Sequence, residues 1–183
     1  MRKLITVLVL SAVMAMTAQA ETMTRYVSSD NGVRLRSGHS TEAEIQMVIP
    51  YGEAVTEEEQ ILAEDRTWSA VRYGDLAGYI CSDYLADENP LNGATYMGTW
   101  RITAYAYTGS ACANGAYPTT GHTIAQNSLP FGTKVYIGGV GVRVIEDRGP
   151  GWLGNEWCDL YLGDTGECIQ WGNQYRDVYL LGD

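Results

Sequence analysis

The stretch that decides the fold is "VIEDRGPGWLGNEWCDLYLGD", residues 144–164, which sets three aspartates among glycines, aromatic residues and aliphatic residues. Asp147 opens a Gly/Pro turn, Asp159 lies inside an apolar run, and Asp164 opens the next turn. Successive side chains of a strand point to opposite faces, so Asp159 and Tyr161 are expected on one face and the intervening apolar residues on the other. The pattern therefore predicts a strand that carries one carboxyl group on its polar face.

The N-terminal stretch "MRKLITVLVLSAVMAMTAQA", residues 1–20, predicts a secretory signal peptide. Two basic residues precede an apolar run that is too short to span a membrane, and a small-x-small cleavage site follows it. We therefore expect a secreted, extracellular and cell-wall-associated protein with no stable membrane insertion after cleavage.

Acidic residues dominate the chain, whose formal net charge is −10. Without residues 1–20 it holds 10 basic and 22 acidic residues, and residues 21–90 alone hold 5 and 14. No basic patch is available to follow a phosphate backbone, which argues against a nucleic-acid partner. The same charge argues against adhesion to anionic lipid.

Four cysteines and two histidines limit the covalent and metal chemistry. An oxidising compartment permits up to two disulfides, with three full connectivities. None of the cysteine spacings resembles a zinc site, so no metal and no cofactor are predicted.

The segment 88–97, rich in Asn, Gly and Pro, predicts a linker between two units at 21–87 and 98–183. Both units show short Val-, Ile-, Tyr- and Thr-rich runs between Gly or Asn turns, which predicts an all-β protein. Residues 165–175 form the one helical pattern, with Thr165 as a possible cap. The Glu run at 57–59 is typical of a solvated hairpin tip.

The first unit resembles the bacterial SH3 (SH3b) family. The matching residues are Val33-Arg34-Leu35-Arg36-Ser37-Gly38, Ile49-Pro50-Tyr51-Gly52, Trp68, Val71-Arg72-Tyr73, Gly78-Tyr79-Ile80 and Tyr84-Leu85. The resemblance implies a small barrel that binds wall peptide or glycan. Alternatively, its aromatic residues only fill the barrel.

The second unit resembles the 3D (three-aspartate) domain family, which is related to membrane-bound lytic transglycosylase A. The matches are Thr103-Ala104-Tyr105, Pro118 to Gly121, Thr123-Ile124-Ala125, Leu129 to Ile137, Glu146-Asp147, Gly149, Gly154-Asn155, Asp159-Leu160-Tyr161, Asp164, Trp171-Gly172 and Val178-Tyr179-Leu180. The resemblance implies a six-stranded double-psi β-barrel with one short helix. The chain departs from the family in having Asp147-Arg148-Gly149-Pro150 where Asp-Thr-Gly-Gly is usual, and Gln126-Asn127 where Val-Asp is common.

The implied activity is lytic cleavage of the β-1,4 bond between N-acetylmuramic acid and N-acetylglucosamine in peptidoglycan glycan strands, with formation of a 1,6-anhydro product. Asp159 takes the place of the catalytic acid, and Asp147 and Asp164 are its companions. The expected substrate contacts are Thr103, Tyr105, Thr120, Lys134, Gly149 and Tyr161. A carboxyl group can donate a proton near neutral pH when burial or a nearby like charge raises its pKa. The alternative for the motif is structural, with Asp147 and Asp164 capping turns and a helix start.

Several rival interpretations remain open on the sequence. A disulfide between Cys112 and Cys168 is favoured because both are expected near the rim of the groove, while Cys81 is either free or bridged to Cys158. A cysteine peptidase would need a thiolate beside a histidine, and the second unit offers only His122. A non-catalytic, expansin-like glycan-binding protein and a muramidase-type hydrolase are further alternatives.

Overall fold

The structure is a computed structural model that describes residues 22–182. The predicted signal peptide, residues 1–20, lies outside the described residues. Within them, no helix has both the length and the apolar character needed to cross a membrane. The regular structure between residues 22 and 182 is β-strand apart from one α-helix and a 3-10 turn at Ser82–Tyr84, which confirms the all-β prediction.

The first unit is a seven-stranded antiparallel sheet in the order β3-β2-β6-β5-β4-β1-β7. Its strands are β1 (Met23–Val27), β2 (Val33–Arg36), β3 (Ile45–Ile49), β4 (Ala54–Ala63), β5 (Arg66–Tyr73), β6 (Leu76–Cys81) and β7 (Leu85–Ala86). Alternation buries Val33 and Leu35 of β2, while Arg34 and Arg36 point away from the core. The core consists of Val27, Val33, Leu35, Ile49, Val55, Val71, Ile80 and Leu85.

The Glu run at 57–59 lies inside β4, and the prediction of a hairpin tip is wrong. Glu57 is buried and accepts a hydrogen bond from Arg25 Nη1 at 3.0 Å. Ser69 and Gln60 also donate to its carboxylate. Burial alone would raise the pKa of Glu57, but the Ser69 and Gln60 hydrogen bonds and the Arg25 charge outweigh it and lower the pKa. The carboxylate is thus stabilised by one local partner, Gln60, and by two partners from neighbouring strands, Ser69 and Arg25.

The second unit is a closed six-stranded barrel in the order β10-β11-β9-β12-β8-β13. Its strands are β8 (Thr95–Ala106), β9 (Thr123–Ala125), β10 (Lys134–Ile137), β11 (Gly141–Asp147), β12 (Trp157–Gly163) and β13 (Gln174–Leu180). Two neighbouring pairs are parallel, β8 with β12 and β9 with β11, and the others are antiparallel. The predicted linker of 88–97 is shorter in the structure, because Thr95 and Tyr96 already pair with Leu180 and Tyr179 of β13.

The helix α1 (Thr165–Trp171) follows β12 directly. Its N-cap is Asp164, not Thr165, and the Asp164 carboxylate accepts a hydrogen bond from the Glu167 amide at 3.0 Å. The helix ends before residue 175 because Gly172 adopts a positive φ of 67° and Gln174 begins β13.

The barrel interior is apolar and holds every second residue of the long strands. Trp100 and Ile102 of β8 and Cys158 and Leu160 of β12 are buried there, together with Ile124, Val135, Ile137, Ile145 and Val178. The alternate residues, including Asp159, therefore lie on the outer face of the barrel, as the alternation predicts.

The two units meet at the β10–β11 hairpin. The Val142 amide donates to the Asp30 carbonyl at 2.8 Å, and Arg143 Nη1 donates to Asn31 Oδ1 at 2.8 Å. Tyr51 of the first unit and Tyr136 of the second have ring centroids 5.6 Å apart. The interface thus combines main-chain, side-chain and aromatic contacts.

Candidate functional site

The candidate site lies on the outer face of two parallel strands. The register of β8 and β12 sets Trp157 beside Arg101, Asp159 beside Thr103, and Tyr161 beside Tyr105. Side chains of laterally paired residues point to the same side of a sheet. These six residues therefore form one continuous surface, which we call the aspartate face.

Asp159 is held by a short chain of hydrogen bonds at the centre of the aspartate face. Trp157 Nε1 donates to Thr103 Oγ1 at 2.9 Å, and Thr103 Oγ1 donates to Asp159 Oδ1 at 2.8 Å. A threonine hydroxyl has one proton, and with the indole N–H directed at its oxygen, that proton goes to the carboxylate. The carboxyl group is fixed in position by two neighbouring strands.

The pKa of Asp159 is raised, chiefly because burial disfavours the charged carboxylate. The hydrogen bond from Thr103 and the charge of Arg101 act in the opposite direction, and the charge of Asp147 raises the pKa further. Asp159 is therefore half-buried and near a second carboxylate, the two conditions under which a carboxyl group retains its proton to higher pH.

Asp147, at the end of β11, is the carboxylate that acts on Asp159. Tyr105 Oη donates to Asp147 Oδ2 at 3.2 Å, and the amides of Ala113 and Arg148 donate to Oδ1 at 2.9 and 2.8 Å. Burial and the charge of Asp147 raise the pKa of Tyr105, so its phenol stays neutral and acts as a donor. Asp147 is thus held as an acceptor of three hydrogen bonds.

Asp164 has a different position from the other two aspartates. Its carboxylate caps α1, and its charge does not contribute to the raised pKa of Asp159. The structure brings Asp147 and Asp159 together, whereas Asp164 fills the capping role that the sequence offered as the alternative.

The predicted substrate contacts divide into two groups. Thr103, Tyr105 and Tyr161 belong to the aspartate face, and the rings of Tyr105 and Tyr161 are 5.3 Å apart. Thr120 lies at the end of that face, where its hydroxyl donates to the Leu162 carbonyl at 3.3 Å. Lys134 does not join them, because β10 lies between β11 and β13 and the residue borders a cavity with the C-terminal segment 180–182.

Gly149, the sixth predicted contact, supports Trp157. A Cβ atom added at Gly149 would stand 2.2 Å from Cη2 of the Trp157 indole. Only glycine allows this close approach. Gly149 therefore fixes the position of the Trp157 indole, which donates the first hydrogen bond of the chain to Asp159.

The unusual residues around this turn have structural partners. The Arg148 guanidinium lies 3.8 Å from the Phe131 ring centroid and donates to the Gln126 carbonyl. Asn127 accepts from the Gly149 amide at 3.0 Å and donates to the Pro150 carbonyl at 3.2 Å. Gln126 is fully buried, with both ends of its amide hydrogen-bonded. These residues therefore fix the turn.

The predicted Cys112–Cys168 disulfide is absent, and all four cysteines are free. Cys112 is buried beside Tyr105 and near Asp147, whereas Cys168 lies on α1 near Asp159 and Asp164. Burial raises the pKa of the Cys112, Cys158 and Cys168 thiols, and nearby carboxylates raise each further. The histidine of the second unit, His122, has its Nε2 atom 3.8 Å from Oε1 of Glu146. The raised thiol pKa values disfavour the thiolate that a cysteine peptidase requires.

Arg101 and Trp157 belong to the site but were missed by sequence reasoning. Arg101 lies two residues before Thr103, and Trp157 two residues before Asp159. The two-residue period of a strand would have placed both on the aspartate face. What the sequence lacked was the parallel register that sets β8 beside β12.

No group of three or more His, Cys, Asp or Glu side chains between residues 22 and 182 is arranged to hold a metal ion. Comparisons of the chain with protein-family models, with curated proteins and with solved structures find no match.

Proposed function

We propose that the protein is a peptidoglycan lytic transglycosylase of the 3D-domain type, in which Asp159 is the general acid and base. The observation that carries the proposal is the environment of Asp159, whose half-buried carboxyl group has a raised pKa and is held by Thr103. A group of this kind retains a proton that can be given to a glycosidic oxygen.

The reaction needs one carboxyl group used twice. Asp159 donates its proton to the leaving glycosidic oxygen as the bond from that oxygen to the muramic C1 breaks. The 6-hydroxyl of the same muramic residue then attacks C1, and its proton passes to the Asp159 carboxylate. The new C1–O6 bond gives the 1,6-anhydro product and restores the protonated acid, so no external water is consumed.

Asp147 has the electrostatic role in this scheme. Its carboxylate is bound by Tyr105 and two main-chain amides, and its charge favours the positive charge that develops at C1. Asp164 contributes through α1, which it caps and which packs against β8 and β12. We therefore assign Asp164 a positioning role.

The architecture also supports the assignment. A closed six-stranded barrel with two parallel pairs suits the double-psi barrel of the 3D family. Three exposed aromatic side chains lie in the loops that follow β8 and β11, and sugar rings can stack on their apolar faces. They are Tyr107, Tyr117 and Trp152. The first unit is proposed to be the SH3b-like wall-binding domain, and the whole protein to act on the cell wall after export.

Digestion of purified peptidoglycan with mass spectrometry of the products tests the proposal. The wild-type protein is expected to release fragments with 1,6-anhydromuramic ends, and Asp159→Asn to lower their formation at least about 100-fold. Asp177→Asn is the matched control and should stay active, because Asp177 lies on the exposed face of β13 in the same barrel, where it accepts hydrogen bonds from Thr99 and Tyr96.

Two other outcomes of the digestion would contradict the proposal. Reducing muramic ends would contradict the transglycosylase and indicate a muramidase-type hydrolase. Intact sacculi that retain the protein would contradict catalysis and indicate a non-catalytic glycan-binding protein.

A further inference from the structure

The first unit contains a cavity of about 310 Å³. Strands β2 and β6 pair at Arg36 and Tyr79, and the cavity opens beside that pair, between β2 and the β5–β6 hairpin. Its walls include Arg34, Arg36, Arg66, Trp68, Cys81 and Tyr84.

The charge of this cavity is opposite to that of the unit around it. Residues 21–90 hold five arginines and 14 acidic residues. Arg25 and Arg72 form ion pairs with Glu57 and Glu58. The remaining three arginines all line the cavity, and none of them forms an ion pair within 4.0 Å among residues 22–182.

Arg36 is held in position, because its guanidinium donates to the Ala43 carbonyl at 2.7 Å. The charge of Arg66 acts on the carboxylate of Glu64, but the two form no ion pair within 4.0 Å, and the carboxylate accepts hydrogen bonds from Ser40 Oγ at 2.6 Å and the Thr41 amide at 3.2 Å. The guanidinium groups of Arg34 and Arg66 therefore remain available to an external oxyanion.

Trp68 adds an observation that does not depend on charge. It is only 2% exposed, and it is one of the residues that line the cavity. Its indole Nε1 has no hydrogen-bond partner among the described residues. A buried donor without a partner is uncommon in a native protein, and an acceptor atom of a bound ligand would satisfy it.

We propose that this cavity binds the terminal carboxylate of a peptide. The planar fork of an arginine matches a carboxylate, and the walls of Val33, Trp68 and Tyr84 can accept the adjoining residue. A single carboxylate is favoured over an anionic polymer, since the 14 acidic residues of the unit repel a long polyanion. The site rests on the geometry of the first unit and is independent of the Asp159 chemistry.

Calorimetric titration of the full-length mature protein with N-acetyl-Ala-Ala and with its C-terminal amide tests this site. The free acid is expected to bind at least about tenfold more tightly than the amide, because charge-assisted hydrogen bonds are lost with the carboxylate. Arg34→Gln and Arg66→Gln should each weaken binding of the acid by about tenfold or more.

The matched control is Arg72→Gln, which removes the same charge from the same unit at a residue paired with Glu58. It should leave the affinity unchanged, as should Asp159→Asn, which separates this site from the proposed catalysis. Equal affinities for acid and amide, no binding of either, or an equal loss in Arg72→Gln would overturn the proposal. Tighter binding of inorganic phosphate than of the acid would overturn the carboxylate assignment.

Discussion

At the scale of single residues, burial and hydrogen bonding have opposite effects on the pKa of Asp159. Burial and the charge of Asp147 favour the protonated form, whereas Thr103 and Arg101 favour the carboxylate. The net result is a raised pKa, so above the ordinary aspartate pKa of about 3.9 the folded protein binds more protons than the unfolded chain. The stability of the fold therefore falls as pH rises through the interval between the unfolded and folded pKa values.

Asp159→Asn is predicted to stabilise the protein at neutral pH. The amide oxygen can still accept from Thr103, and the cost of ionising a half-buried carboxyl group is removed. We expect the melting temperature to rise by roughly 2–4 °C at pH 7, corresponding to about 1 kcal/mol. The gain should shrink as pH falls through the unfolded pKa of about 3.9 and vanish well below it, where the wild-type carboxyl group is protonated in both states.

Asp177→Asn is the control of opposite sign for this thermal unfolding series. Hydrogen bonds from Thr99 and Tyr96 lower the pKa of Asp177, so its carboxylate form is the stabilised one. Its replacement should lower the melting temperature at pH 7, with a smaller effect as pH falls through the folded pKa. A loss of stability in Asp159→Asn at pH 7 would contradict the raised pKa.

At the scale of elements, local patterns predicted the strand that carries Asp159 but not the partners of that strand. The alternation in residues 157–162 correctly predicted that Cys158 and Leu160 face the barrel core and that Asp159 lies on the opposite face of the strand. The burial of Glu57 was not predictable, because its partner Arg25 lies 32 residues away in the sequence. The end of α1 at Trp171 depends on the conformation of Gly172 rather than on a hydrophobic pattern.

The parallel pairing that builds the aspartate face was also outside the reach of local patterns. Thr103 and Asp159 are 56 residues apart, and their register depends on how β8, β9, β11 and β12 close the barrel. Family resemblance supplied the three aspartates as a group, but only the helix-capping geometry separated Asp164 from the other two.

Gly149→Ala is predicted to disturb the site through the turn that supports it. The added Cβ would stand 2.2 Å from the Trp157 ring, so the indole or the turn must move. We expect a loss of about 1–3 kcal/mol in the free energy of unfolding, measured by denaturant titration. Product formation should fall as well, because Trp157 orients Thr103 against Asp159.

Gly151→Ala is the matched control for Gly149→Ala. It lies in the same turn, and a Cβ there would meet no atom within 4 Å. It should change stability by less than about 0.5 kcal/mol. An equal effect of both substitutions would mean that the turn backbone, rather than the contact with Trp157, determines the result.

At the scale of the whole molecule, the two units are joined by a hairpin whose backbone is in contact with the first unit. A Cβ atom at Gly141 would stand 2.2 Å from the Asp30 carbonyl oxygen, and its φ is +111°, so the residue must be glycine for the hairpin to lie this close. Burial lowers the pKa of the neighbouring Arg143, and the charge of Asp30 opposes this effect. Arg143 is therefore a partly desolvated cation at the interface, and its hydrogen bonds compensate for the lost solvation.

Asn31→Ala is predicted to uncouple the two units. The substitution removes the Oδ1 atom that accepts from Arg143 Nη1 at 2.8 Å, while Arg143 keeps its bonds to the carbonyls of Val142 and Val140. This hydrogen bond is solvent-exposed, so its loss is expected to cost about 1 kcal/mol. Because this cost falls on the contact between units rather than on either core, we expect calorimetry to show one unfolding transition for the wild-type protein and two for Asn31→Ala. Asn173→Ala, at an exposed loop residue of the second unit, should retain one transition. A uniform shift of one transition in Asn31→Ala would instead mean that each unit depends on the other for its own stability.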